Sequence, residues 1–175
     1  MLTQLLDVFG LLSVLLRGGA LASKSLGLGG AVFTFCIPKD IPGGPRTEAI
    51  VEACRRLTLW SAVTLAAIHL CDVAADSAVL AGAGAGIRLT ELTCANFFIA
   101  GVSGIGAASA VAVLTSRRKW SRTPGLLASA ILGLTALVMT SHSAARPQQG
   151  VALSILTTLH QTATATWIGG LPYLG

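Results

Sequence analysis

Long apolar runs alternate with short polar breaks along the chain. Each run approaches the roughly 20 residues that an α-helix needs to cross bilayer hydrocarbon. The first extends from Leu2 to Ile37 and is interrupted by Arg17 and Lys24. It is read as one span over residues 12–37 with an amphipathic lead-in. A cleaved signal peptide is the alternative, because Ala20-Leu21-Ala22 has the spelling of a cleavage site. The first ten residues carry no Lys or Arg, however, so the charged leader of a signal peptide is missing. Residues 38–45 hold three of the six prolines and predict a loop. A second helix is predicted over 47–80, amphipathic at first and apolar from Leu57, with its span at 54–80. Further spans are predicted at 92–114, 125–141 and 151–171. The breaks between them are an Ala/Gly alternation at 81–86, a basic loop at 116–124, and a polar loop containing Gln148 and Gln149. The Ala/Gly alternation lacks the spacing of a phosphate-binding loop. The expected architecture is all-α: a single polytopic transmembrane helix bundle over residues 1–175, with about five spanning helices.

Composition strengthens that picture. Of the 175 residues, 53% are hydrophobic and 11% charged. Soluble domains carry roughly a quarter charged residues, and a soluble surface this poor in charge would aggregate. In a bilayer, lipid replaces water around the outward faces. The 20 glycines fit the same setting, since small residues let helices approach closely in lipid. Cys36, Cys54, Cys71 and Cys94 are scattered, form no C-x-x-C pair, and read as small apolar packing residues rather than a disulfide framework.

Charge adds orientation. The net charge of +5 could point to nucleic acid, but the basic residues sit in short loops between apolar runs, where topology explains them better. Lys39, Arg46, Arg55 and Arg56 cluster around the first loop, and Arg117, Arg118, Lys119 and Arg122 in the third. The intervening loops hold Arg88 and Arg146. Loops near 38–56 and 115–124 are therefore expected in the cytoplasm. The N-terminus and the loops near 82–91 and 142–150 are expected outside, in the periplasm of a bacterium.

Ionisable groups within spans are costly and usually functional. His69, Asp72 and Asp76 are spaced i, i+3, i+7 and share one face of the second helix. A cation or proton path is one reading, and a polar cluster joining helices is the other. Met139 and His142 share a face at the outer end of the fourth span. His160 lies midway along the fifth, with Thr164 and Trp167 on its face. Thioether and imidazole suit Cu(I), whereas a lone intramembrane histidine often only bonds a neighbouring helix. Arg17 and Lys24 either snorkel or pair with Asp72 or Asp76. No catalytic motif emerges, so transport is favoured over enzyme activity.

The segment Ser141-His142-Ser143-Ala144-Ala145, followed after a polar gap by Leu159-His160-Gln161-Thr162-Ala163-Thr164-Ala165-Thr166-Trp167-Ile168-Gly169-Gly170-Leu171, resembles the copper resistance protein D (CopD) family. His142, His160, Ala163, Trp167, Gly169, Gly170 and Leu171 fall in place, while Ser141 stands where Gly is common. Arg17, Gly27, Gly29, Gly30 and Phe33 are similar to that family's first span. The resemblance implies an inner-membrane protein of copper uptake or resistance, working with the bilayer and a periplasmic copper-binding partner. His142 and His160 would handle the copper ion with Met139 as a third ligand, and Trp167, Gly169 and Gly170 would pack beside them. Members of that family have about eight spans, so the chain would correspond to the first five. Two other readings stand beside it. One is a haem-binding membrane cytochrome using a pair among His69, His142 and His160. The other is a structural or assembly subunit without its own metal site.

Overall fold

A computed structural model describes residues 2–36, 44–82, 93–117, 128, 130–131 and 150–170. Four helices account for nearly all of them: α1 (Leu2–Cys36), α2 (Pro45–Gly82), α3 (Asn96–Ser116) and α4 (Gly150–Gly170). There is no strand among the described residues. The helices overlie four of the five apolar segments. The remaining one, 125–141, falls outside the described residues except for positions 128, 130 and 131, which are helical. Helix α1 begins ten residues before the start expected for its span. Leu5, Leu6, Val8 and Phe9 continue the apolar run, and no proline interrupts it.

Local chemistry sets the other helix starts. Pro45 opens α2, where its missing N–H costs nothing. Glu48 follows in the first turn, its N–H bonded to the Gly44 carbonyl at 3.1 Å, and its carboxylate suits the helix dipole there. Helix α3 starts with the Phe98 and Ile99 N–H groups donating to the Ala95 carbonyl. Among the described residues, two segments are long and apolar enough to cross a membrane, Thr47–Leu80 of α2 and Asn96–Ser116 of α3. The 34-residue segment is about 51 Å long, well beyond the roughly 30 Å hydrocarbon layer. Its charged first turns, with Glu48, Glu52, Arg55 and Arg56, can therefore stand clear of an apolar stretch beginning at Leu57.

Helix α2 packs against both α1 and α3, and α1 packs against both α2 and α4. Small residues set the register. A Cβ at Gly19 would stand 3.1 Å from Ile68 Cδ1, and one at Gly27 3.9 Å from Ser61 Cβ. As the contact rises along α1 it falls along α2, so the two helices are antiparallel. Gly101 faces Val73 and Gly104 faces His69, which makes α2 and α3 antiparallel as well.

The interior is built from small and hydroxyl-bearing side chains. Ala20, Ser23 and Ala31 of α1 are buried, as are Cys54, Thr58, Ser61 and Ala62 of α2, and Ala107, Ala108 and Thr115 of α3. Thr58 and Thr115 have no exposed surface at all. Their hydroxyls donate to carbonyls one turn back, Thr58 to Cys54 at 2.9 Å and Thr115 to Val111 at 2.6 Å. No described buried side-chain polar atom lacks a hydrogen-bond partner. Large apolar side chains point outward instead: Leu15, Trp60, Leu70, Val102, Val113 and Leu156 are all exposed. Of the cysteines expected to pack, Cys54 is buried, but Cys71 and Cys94 are exposed; all three are free thiols.

Candidate functional site

Helix α2 places His69, Asp72 and Asp76 on one face, and the packing assigns that face its neighbours. The His69 ring lies over Gly104 of α3, with Nε2 2.9 Å from the position a Cβ would take there. Only a residue without a side chain lets the imidazole sit so close to the α3 backbone. From the other side, α1 brings Arg17 and Lys24. Lys24 is within electrostatic reach of both Asp72 and His69, and Arg17 of Asp72. Asp72 also feels the charges of His69 and Asp76. His69, Asp72 and Lys24 are each partly buried, whereas Arg17 and Asp76 are exposed.

The register explains how Lys24 reaches this group. Cα–Cβ bonds tilt toward a helix N-terminus. In the antiparallel α1–α2 pair, Lys24 and Asp72 therefore lean toward each other, to the level where Gly19 meets Ile68. Among the described residues ion pairs form only at Glu52, so Lys24 and Arg17 act on Asp72 through charge at longer range rather than by direct pairing. Gly104 as the seat of His69 was not singled out in the sequence. The signal was present in the small residues Gly101, Gly104, Ala107 and Ala108, which fall on one helical face.

The copper candidates fare differently. Met139 and His142 lie outside the described residues. His160 is exposed on α4, and Trp167, expected to pack, is 73% exposed. An indole near a helix end is at home in the interfacial layer of a bilayer. Gly169 and Gly170 form the last turn of α4. His69 packs against α3, whereas His160 is exposed on α4, which packs against α1, so no helix contact brings the two described histidines together. No group of three or more His, Cys, Asp or Glu able to hold a metal occurs among the described residues. The α4 threonines form a ladder instead: Thr158 donates to the Ser154 carbonyl, Thr162 to Thr158, and Thr166 to Thr162.

A second polar cluster lies at the opposite end of the α2–α3 pair. Arg55 donates twice to Glu52, at 2.7 Å each, and once to the Thr115 carbonyl at 3.1 Å. Arg56 donates to Glu52 at 2.9 Å. The bond to Thr115 satisfies one of the carbonyls that the last turn of α3 leaves open. Hydrogen bonds from Arg55 and then Arg56 hold the Glu52 carboxyl far below the usual carboxylate range, at about 2.

Comparison with protein-family models, with curated proteins and with solved structures gave no match.

Proposed function

We propose that this chain is a multi-pass protein of the bacterial inner membrane that moves or passes on copper ions, in uptake or resistance, without catalysing a reaction. The observation that carries the membrane part is the inverted packing. Small and hydroxyl side chains fill the helix contacts while leucine, valine, isoleucine and tryptophan face outward. Water would penalise that exterior, and lipid would not. Close approach through glycine, alanine and serine, with hydroxyls bonded back to their own helix, is how helices associate in lipid. The preferred topology has about five spans, the loops near 38–56 and 115–124 in the cytoplasm, and the N-terminus and the loops near 82–91 and 142–150 in the periplasm.

Copper as cargo rests on the resemblance of the His142 and His160 segments to the copper resistance protein D family. His160 supports it chemically, as an exposed imidazole on the accessible face of α4. With Met139 it would provide the nitrogen and sulfur donors that suit Cu(I). A periplasmic copper-binding protein is the partner this reading expects. A structural or assembly role is the second reading, favoured by the seat of His69 on Gly104, which ties α2 to α3.

The test is copper content and affinity of the detergent-purified protein under Cu(I) conditions, with an absorption spectrum of the same sample. The expected result is a colourless protein that binds copper and loses it in the His142→Ala/His160→Ala variant. A visible haem band would replace the proposal with the cytochrome reading. Copper-free, colourless wild type would leave the structural role.

A further inference from the structure

We propose that Asp72, with His69 and the counter-charge of Lys24, forms an intramembrane proton-carrying site entered from the Asp76 end of α2. The inference rests on the reading of α1–α3 as membrane-spanning and not on copper as the cargo.

Position is the first argument. His69 is level with Gly104, near the middle of α3, and so near the middle of the hydrocarbon if α3 spans it. Asp72 lies one turn further along α2, and Asp76 one turn beyond that, about 10 Å from His69 along the axis. The antiparallel register puts Asp76 beside the first turn of α3, at the rim of the apolar layer. Three titratable groups thus descend one helix face from the edge to the centre, spaced a turn apart. Asp76 is exposed, while Asp72 and His69 are partly buried.

Charge is the second argument. Arg17 and Lys24 of α1 balance Asp72 and Asp76 when His69 is neutral. Balanced charge is tolerable in a low-dielectric interior, where unpaired charge is not. The resident cations also disfavour a metal dication at Asp72, since it would face the Lys24 ammonium and the Arg17 guanidinium. A proton changes the balance by one unit only. Helix α3 contributes no titratable side chain between Asn96 and Ser116, and α4, packed on α1, contributes only His160.

The transfer balances without a co-reactant. A proton taken up by the Asp76 carboxylate passes to the Asp72 carboxylate. Asp72 then gives it to an imidazole nitrogen of His69, forming the imidazolium and restoring the carboxylate. Only O–H and N–H bonds form and break. A purely structural ion pair between Asp72 and Lys24 would need neither His69 at its level nor Asp76 at the rim.

The full-length protein in lipid vesicles is titrated by infrared spectroscopy without copper, and copper uptake is measured in parallel with and without an imposed proton gradient. The variants are Asp72→Asn and Lys24→Met/Asp72→Asn, the second removing both charges so that the fold survives if the first does not. A carboxyl signal that titrates in the wild type and is lost in both variants is the expected result. Uptake driven by the gradient and lost with that signal supports it further. If the signal follows Asp72 but no copper moves, the proton site stands and the copper reading fails. If no titrating carboxyl signal depends on Asp72, or the double variant keeps gradient-driven uptake, the proton site is overturned, whatever becomes of copper.

Discussion

Gly104 and His69 form a contact in which the missing atom matters as much as the ring. A Cβ at Gly104 would meet Nε2, Cδ2 and Cε1 of His69 at 2.9, 3.0 and 3.3 Å. The ring would have to shift away from the α3 backbone to admit it. Gly104→Ala is therefore expected to destabilise the helix pair by about 1–3 kcal/mol, the usual cost of overpacking, and to move the His69 ring signals in an NMR spectrum. Gly106→Ala is the control, since nothing lies within 4 Å of its Cβ position. Equal thermal stability in detergent for the two variants would remove Gly104 from the account. His69 and its aspartates were legible in the sequence because ionisable groups stand out in an apolar run. Their partner was not, because Gly101, Gly104 and Gly106 look alike until the register with α2 is known.

Helix existence was equally legible at the element scale, since α2, α3 and α4 lie within a few residues of the expected segments. Pairing was not. Helix α1 offers Gly18, Gly19, Gly27, Gly29 and Gly30 as points of close approach, and several registers would satisfy them. The α2–α3 pair makes two predictions. Ala108, buried on α3, should not tolerate Leu, whereas Leu for the exposed Val102 should be close to neutral; the difference in unfolding free energy is expected at about 1–3 kcal/mol. The second concerns pH. The Glu52 carboxyl has a folded value of about 2, against about 4.3 for an unperturbed glutamate. A depressed carboxylate contributes stability above its unfolded value, and that contribution disappears as pH falls through the folded one. The stability gap between wild type and Glu52→Gln should therefore be constant near neutrality, shrink below about pH 4.3 and vanish near pH 2. A gap that instead widens on acidification would contradict the pairing of Glu52 with Arg55 and Arg56.

For the whole molecule, the inverted packing of small interior and large apolar exterior leaves the number of crossings as the open variable, and parity decides it. Helices α1, α2 and α3 alternate in direction, so if each crosses the bilayer, α3 ends on the side opposite the start of α1. Between Arg117 and Gly150 lies the segment holding the apolar run 125–141. If that run crosses, α4 is the fifth span and runs in the same direction as α1. If it does not, α4 is the fourth and runs the opposite way. The basic residues Arg117, Arg118, Lys119 and Arg122 favour the first case, because they would hold the loop after α3 in the cytoplasm while the single Arg146 would leave the next loop free to be exported. Single cysteines placed at residues 120, 147 and 173, in a background with the native cysteines replaced, should react with a membrane-impermeant reagent from outside only at 147. Labelling at 173 but not 147 would give an even number of crossings. His160 would then lie on a helix of reversed direction, and Trp167 would move from the cytoplasmic to the periplasmic rim. In that arrangement His142 could no longer meet His160 at a shared depth in the outer half of the membrane, so the labelling pattern also tests the geometry on which a joint copper site depends.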